Sequence, residues 1–200
     1  MKEQFIDSIK KDLKQGILVV SCGLPASGKT TLMKLISGIK GYKFLRTDLI
    51  RLELLKNENV FDAAVASNMD KRMLVYDKMF KMADEFAGKG EGVILDGTFI
   101  TRALRMRAAD VAAVHGMTLL LQETRCPKDV CIRRILQRTK EDYESNALTE
   151  DAYMNNLKRF EAVDIHEIKN HYPDLKIIHL IIDTTSDNPD EWFIIKREAC

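Results

Sequence analysis

The sequence predicts an α/β fold, in which a five-stranded parallel sheet lies between two layers of helices. Five apolar runs alternate along the chain with segments of helical periodicity, and four of the runs are nearly continuous in apolar character. Such runs are typical of strands buried on both faces of a parallel sheet. The runs comprise residues 17–20, 42–45, 93–95, 118–121 and 177–182. This alternation indicates a doubly wound sheet, which binds its ligands at the carboxyl ends of the strands.

Helical periodicity predicts that helices connect several of these runs. Leu32, Leu35, Ile36 and Ile39 have the spacing of one helix face. A longer stripe predicts a helix between the second and third runs, and its core-facing members are Met69, Met73, Tyr76, Phe80, Ala83 and Ala87. Residues 189–200 predict a final helix with Trp192 and Ile195 facing inward.

Length and composition indicate one domain spanning residues 1–200. A chain of 200 residues with 46% hydrophobic content can bury one core. The 31 basic and 30 acidic residues nearly cancel, which disfavours a nucleic-acid partner except through a local basic patch. No stretch has the length and apolar character of a membrane span or the pattern of a signal peptide. The four cysteines form no CxxC pair, so we expect structural thiols in a reduced, cytoplasmic protein.

A phosphate-binding loop follows the first apolar run. Residues 23–30 match the pattern G-x-x-x-x-G-K-[ST] in full. The two glycines let successive N–H groups converge on phosphate oxygens, and the following helix adds its positive N-terminal end. Lys29 then places a charge on the outer phosphates of ATP, and the Thr30 hydroxyl is suited to ligate Mg²⁺. The predicted nucleotide-binding residues are Gly23, Leu24, Pro25, Ala26, Ser27, Gly28, Lys29, Thr30 and Thr31.

An aspartate ends the third apolar run. Asp96 precedes Gly97 and Thr98, as in the Walker B arrangement, and is predicted to orient Mg²⁺ next to Thr30. The alternative is a turn formed with Gly97 or a cap on the next helix.

A second acidic residue follows the second run. Asp48 is predicted to lie beside the phosphate loop, where a carboxylate can accept the proton of an attacking hydroxyl. Arg51, one helical turn on, is suited to hold an anionic group of the substrate. Alternatively, Asp48 caps the helix and forms a plain ion pair with Arg51.

Two arginines mark a candidate lid at about residues 126–148. Arg134 and Arg138 are four residues apart and share a helix face. Arginine suits the charge that develops in phosphoryl transfer, so the pair is predicted to close over ATP. A solvated basic face is the equally weighted alternative.

These motifs together resemble a family of small P-loop kinases. The family includes the kinase domain of polynucleotide 5′-hydroxyl kinases and AAA-type predicted kinases, while zeta-toxin and chloramphenicol phosphotransferase groups are more distantly similar. The resemblance covers residues 16–183 and implies a P-loop NTPase fold, a three-layer α/β/α sandwich. Its motifs here also include Ser145, Asn146 and Ala147, followed by Tyr153 and Phe160. Asn146 departs from the aspartate often present in relatives.

The resemblance implies roles for several residues. It makes Asp48 the general base, Arg51 a ligand of substrate phosphate, and Arg134 and Arg138 lid residues over the donor phosphates. We find no basic stripe interleaved with aromatic residues, so a single-stranded nucleic-acid substrate is not favoured.

Two functions follow from these patterns. The leading hypothesis is a phosphotransferase in which ATP–Mg²⁺ donates its γ-phosphate to a hydroxyl on a small molecule or a nucleic-acid 5′ end. Asp48 would take the proton, and Lys29, Arg134 and Arg138 would hold the migrating group. The alternative is an ATP-binding or ATPase switch without kinase activity.

Overall fold

The computed structural model describes residues 3–13, 16–62, 64–65, 68–138 and 147–200. Strands and helices alternate along most of the chain, as the sequence predicts. The elements are β1 (Glu3–Gln4), α1 (Phe5–Asp12), β2 (Ile17–Cys22), α2 (Lys29–Lys40), β3 (Lys43–Arg46), α3 (Thr47–Leu54), α4 (Met69–Ala87), β4 (Val93–Asp96), α5 (Arg102–Val114), β5 (Thr118–Arg125), α6 (Lys128–Leu136), α7 (Glu150–Lys158), α8 (Ile165–His171), β6 (Ile177–Asp183), a 3₁₀ turn (Pro189–Glu191) and β7 (Phe193–Ala199).

The strands form one sheet in the order β1-β7-β6-β5-β2-β4-β3. The five strands from β6 to β3 are parallel, which confirms the predicted parallel sheet. β7 and β1 extend it as antiparallel strands. β2 lies between β4 and β5 at the centre, and the strand order diverges there, so a crevice is expected at its carboxyl end.

The end of the chain differs from the prediction. Residues 189–200 form a 3₁₀ turn and strand β7 instead of a helix. β7 pairs with β6, so Asp183 lies opposite Phe193 and Ile178 opposite Ala199. Trp192 is buried as predicted, but Ile195 is 46% exposed. The reason is that β6 offers a free edge, and β7 begins with one aromatic and two β-branched residues, Phe193, Ile194 and Ile195, which suit a strand that pairs with this edge.

Helices cover both faces of the sheet. Leu18 and Val20 pack in one core with residues of α4, α5 and α8. Ile17 and Val19 pack on the opposite face with residues of α1 and α2. The alternation along β2 therefore shows the three-layer α/β/α arrangement, because successive side chains of a strand point to opposite faces.

Three strands deliver functional side chains to one edge of the sheet. The phosphate loop, residues 23–30, joins β2 to α2, and α3 begins directly after β3. β4 ends at Asp96, and β4 lies between β2 and β3. The residues singled out after these strands consequently gather around the end of β2. No helix in the described ranges is long and apolar enough to cross a membrane.

Candidate active site

The phosphate loop has backbone angles that side chains other than glycine resist. Gly23 has φ 143° and Gly28 has φ 86°. A Cβ on Gly23 would lie 2.4 Å from Thr124 Oγ1, and a Cβ on Gly28 would lie 2.8 Å from Trp192 Cη2. Ala26 also has a positive φ of 59°, a strain of about 1–3 kcal/mol that is typical of functional loops. The loop therefore holds a fixed shape with its backbone closely packed.

Side chains from neighbouring strands hold the loop in place. Ser27 Oγ lies 2.6 Å from Thr124 Oγ1, and Thr184 Oγ1 donates a 2.7 Å hydrogen bond to the Ser27 carbonyl. The Gly23 N–H donates to the Thr98 carbonyl at 3.2 Å. Sequence reasoning did not single out Thr124 or Thr184. The signal for Thr184 was its place directly after β6, where functional residues of such sheets are expected.

Lys29 lies inside the loop that precedes it. Its side chain is buried, and its ammonium group donates to the Leu24 carbonyl. Burial lowers the pKa of Lys29 to about 8, while the nearby Asp96 carboxylate acts in the opposite direction. A bound phosphate would favour the charged ammonium, as the predicted role requires.

Asp96 and Thr30 form the predicted pair at the end of β4. Thr30 Oγ1 donates a 2.8 Å hydrogen bond to Asp96 Oδ2, and Ser21 Oγ lies 3.3 Å from Asp96 Oδ1. Arg46 Nε lies 3.6 Å from Asp96 Oδ2. Burial raises the pKa of Asp96, and the Thr30 hydrogen bond opposes this.

The donor set at Asp96 fits magnesium. A hydroxyl and a carboxylate oxygen are the ligand types that Mg²⁺ takes from P-loop proteins, with phosphate oxygens and waters completing the octahedron. The described residues contain no group of three His, Cys, Asp or Glu side chains that could form an all-protein cage. Thr30 and Asp96 would therefore hold Mg²⁺ together with phosphate.

Asp48 and Arg51 lie together on α3. Asp48 Oδ1 accepts a 2.9 Å hydrogen bond from Arg51 Nη1, so the predicted ion pair forms. Asp48 does not cap the helix, because α3 begins at Thr47 and its N-cap is Arg46. Burial raises the pKa of Asp48, while Arg51 and then Arg46 lower it. A carboxylate with a raised pKa facing a cavity is the character expected of a general base.

The two lid arginines have different surroundings. Arg134 donates to the carbonyls of Thr184 at 3.0 Å and Ser186 at 2.8 Å, and Asp187 also binds it. Arg138 Nη1 donates to the Ala147 carbonyl at 3.0 Å. Arg134 therefore joins helix α6, at the start of the predicted lid, to the segment after β6. Residues 139–146, with Ser145 and Asn146, lie outside the described part of the lid.

One cavity of ≈ 960 Å³ connects these groups. We call one side of it the loop end, formed by Gly28, Lys29, Thr30 and Asp96. We call the other side the arginine end, formed by Asp48, Arg51, Arg72 and Tyr76. The remaining predicted residues on its wall are Pro25, Ala26, Thr31, Arg134 and Arg138. Gly23, Leu24 and Ser27 do not line the cavity.

Sequence reasoning missed several cavity residues. Arg72 and Tyr76 lie on α4, and Trp192 packs on the loop at Gly28. Tyr76 was predicted as core, and it is buried against Phe99 with ring centroids 5.4 Å apart. Its hydroxyl nevertheless lies 3.3 Å from Thr98 Oγ1 at the cavity wall. A tyrosine in an apolar stripe gives no sequence signal for this second role.

A family model described as an AAA domain matches residues 18–163, which include all three strand ends that form the site. The chain belongs to this AAA-domain family. The match confirms the P-loop family that the motifs indicate. No curated protein matches the sequence significantly.

Solved structures that resemble this AAA-domain protein include several kinases. A sugar kinase from Janibacter sp. HTCC2649 is 18% identical with a TM-score of 0.60, and the match covers 89% of this chain and 90% of that chain. A gluconokinase from Sinorhizobium meliloti 1021 is 15% identical with a TM-score of 0.57, covering 87% and 86%. Kti12 from Chaetomium thermophilum, in complex with ADP-AlF3, is 20% identical with a TM-score of 0.56, covering 74% and 82%. At these identities the likeness shows a shared fold.

Proposed function

We propose that the protein is a phosphotransferase that moves the γ-phosphate of ATP–Mg²⁺ to a hydroxyl acceptor. The observation that carries this proposal is the single cavity in which Asp48 faces the same space as Lys29 and Thr30. A triphosphate held by the loop end would direct its outer phosphate toward the arginine end. Space beyond the phosphate, next to the partly buried carboxylate of Asp48, suits an acceptor that is larger than water.

The proposed reaction exchanges one P–O bond for another. The acceptor oxygen attacks the γ-phosphorus of ATP, and the bond from this phosphorus to the β,γ-bridging oxygen breaks, so that ADP leaves. The acceptor proton passes to Asp48 Oδ2 or Oδ1 as the new bond forms. The pair with Arg51 orients the carboxylate for this transfer.

Other residues stabilise the charge of the transferred group in this proposal. Lys29 leaves the Leu24 carbonyl to bind the outer phosphates, and Arg138 approaches from the lid side of the cavity. Arg134 must give up some of its carbonyl partners to reach the same oxygens, and otherwise positions the segment after β6. When bound at Thr30 and Asp96, Mg²⁺ supplies charge neutralisation on the phosphate oxygens. We also propose that the chain forms a single domain and acts in the cytoplasm, where its four free cysteines would stay reduced.

A transfer screen tests the proposed function. The protein is incubated with γ-labelled ATP, Mg²⁺ and a panel of sugars, nucleosides, nucleotide sugars, aminoglycosides and 5′-hydroxyl oligonucleotides. We expect label on one class of acceptor, and a loss of about 10²–10⁴-fold in Asp48→Asn with ATP binding unchanged.

Asp84→Asn is the matched control for this screen. Asp84 carries an exposed carboxylate on α4, pairs with His115 and lies outside the cavity, so its substitution should leave transfer unchanged. Label that passes only to water would overturn the kinase and favour an ATPase switch. Transfer that is equal in Asp48→Asn and the parent would remove Asp48 as the base.

A further inference from the structure

Arg72 is a cavity-lining cation that has no acidic partner among the residues the structure describes. It lies on α4 at the arginine end of the cavity. Within the described ranges, no carboxylate lies within ion-pairing distance of its guanidinium, whereas Arg51 pairs with Asp48 at 2.9 Å. Arginines of the neighbouring surface are also paired, as Arg107 is with Asp77 at 2.7 Å. The contrast identifies Arg72 as a site of unbalanced positive charge.

The surroundings of Arg72 increase this imbalance. Burial lowers the pKa of Arg72; Tyr76 opposes this shift, and the like charges of Arg159 and Arg51 add to it. Arg159 donates to the Met69 thioether sulfur at 3.2 Å, and no carboxylate of the described part of the chain forms an ion pair with it. Two partly buried like charges, with no acidic partner among the described residues, are unfavourable unless a bound anion compensates them.

The wall around Arg72 is fixed, so the position of a bound group is defined. Tyr76 is one helical turn from Arg72 on α4, and both line the cavity. Contacts with Phe99 and Thr98 hold the Tyr76 ring. Asp48 lines the same cavity from α3 and Arg72 lines it from α4, so one ligand in this cavity can contact both side chains.

We propose that Arg72 binds an oxyanion of the acceptor, a phosphate or carboxylate group, at a subsite separate from the triphosphate. This inference rests on the proposed function and narrows it, because the acceptor becomes a hydroxyl compound that carries negative charge. Arg72 is then a specificity residue: it holds the non-reacting part of the acceptor while Asp48 serves the reacting hydroxyl. Neutral sugars and nucleosides would bind more weakly than their anionic counterparts.

Anion binding to the nucleotide-loaded protein tests this inference. The full chain is saturated with a non-hydrolysable ATP analogue and Mg²⁺, which occupies the loop end. Inorganic phosphate and acetate are then titrated separately by calorimetry. We expect at least one of them to bind with a Kd of about 1 mM, and Arg72→Gln to raise that Kd at least about tenfold.

Two variants separate a specific loss from a general one. Arg102→Gln removes the same charge from an exposed arginine at the start of α5, outside the cavity, and should leave the Kd unchanged. Arg72→Lys keeps the charge without the planar fork and should give an intermediate Kd. Affinity for the ATP analogue, equal in all variants, confirms that each is folded. Phosphate binding alone indicates a phosphorylated acceptor, and acetate binding alone a carboxylate.

The inference is overturned if neither anion binds the loaded protein at concentrations up to about 20 mM. It is also overturned if Arg72→Gln binds them as tightly as the parent does. Because the titration requires no turnover, its outcome is independent of the transfer screen. A protein that transfers no phosphoryl group but binds phosphate through Arg72 would contradict the proposed kinase and leave the anion subsite in place.

Discussion

The loop end and the arginine end of the cavity are built in different ways. At the loop end, glycines allow the positive φ angles that the backbone adopts. Each polar side chain there has a partner within the chain, such as Thr30 with Asp96 at 2.8 Å. At the arginine end, side chains from α3 and α4 face the cavity, and Arg72 lacks an acidic partner among the described residues.

This difference has a functional meaning. A triphosphate is the same in every P-loop protein, so a rigid cradle of backbone N–H groups and strand ends can serve all of them. An acceptor differs from one enzyme to another, and side chains on helices can be exchanged without disturbing that cradle. Under the proposed function, the loop end would carry the general chemistry and the arginine end the specificity.

The largest effect on nucleotide affinity is expected from breaking the loop end at Gly28. Gly28→Ala places a Cβ 2.8 Å from Trp192 at a φ of 86°. Strain of this kind costs about 1–3 kcal/mol, and the indole ring has to move as well. We expect a lower free energy of unfolding in urea and at least a tenfold weaker affinity for an ATP analogue, since about 1.4 kcal/mol corresponds to tenfold.

Gly38→Ala is the matched control on the same helix. Gly38 lies in α2 without a positive φ, and a Cβ there would contact nothing within 4 Å. The substitution should stabilise the protein by up to about 1 kcal/mol and leave nucleotide affinity unchanged. Equal effects of the two substitutions would contradict the fixed geometry of the loop.

The parts of the fold predicted from sequence are those with strong local signals. The five parallel strands were readable because each is an apolar run, and β2 shows why: alternate residues such as Leu18 and Val19 are buried on opposite faces. Strand β7 could not be predicted in this way, because its pairing depends on the free edge of β6, which no local sequence pattern reveals. The same limit applies to Met69 and Met73, which continue the stripe of α4 but are exposed.

The site shows a similar division. Residues 23–30 form a contiguous motif, so the loop end could be predicted almost completely. Thr184, Trp192 and Arg72 reach the site from distant parts of the chain, and each is of a type that occurs commonly on surfaces or in cores. Only the tertiary arrangement identifies them. The partners of Arg134 after β6 are likewise invisible in the periodicity of its own helix.

The pH dependence of activity sharpens the comparison, because each end contains one aspartate, buried in the case of Asp96 and partly buried in the case of Asp48. Burial raises the pKa of both Asp48 and Asp96. Protonated Asp48 cannot accept a proton, so we expect kcat/KM to fall as pH decreases, about tenfold per pH unit, from a midpoint above the ordinary aspartate pKa of about 3.9. Protonated Asp96 weakens Mg²⁺ binding instead. Saturating Mg²⁺ should therefore remove the contribution of Asp96 to the pH dependence of kcat/KM and leave the contribution of Asp48.

Stability should change in the opposite direction to activity. A carboxyl whose pKa is raised by folding binds its proton more tightly in the native state, so its contribution to stability is full at low pH and is lost as pH rises through the native pKa. Urea unfolding of the parent and of Asp48→Asn tests this. The parent should gain stability relative to the variant as pH falls from about 7 to about 4. If activity and relative stability declined together as pH falls, folding would not raise the pKa of Asp48.

The smallest expected effect concerns the connection between the lid and the loop end. Arg134 Nη1 lies 3.3 Å from Cys126 Sγ and 3.5 Å from the Ala26 carbonyl. A hydrogen bond from Cys131 lowers the pKa of Cys126, and Arg134 acts in the same direction, whereas burial raises the pKa of Cys22 to about 12. The thiolate is the reactive form, so iodoacetamide should label Cys126 before Cys22, as peptide mass spectrometry would measure.

Labelling of Cys126 also reports whether Arg134 holds the loop. Arg134→Gln removes the guanidinium from the sulfur and should slow labelling several-fold. Arg133→Gln, which loses only an exposed pair with Asp187, should leave the rate unchanged. If both variants label like the parent, then Arg134 does not stay beside Cys126 in solution. The loop would then be held by Thr124, Thr184 and Trp192 without Arg134, which would be free to act over the phosphates, as its place in the predicted lid implies.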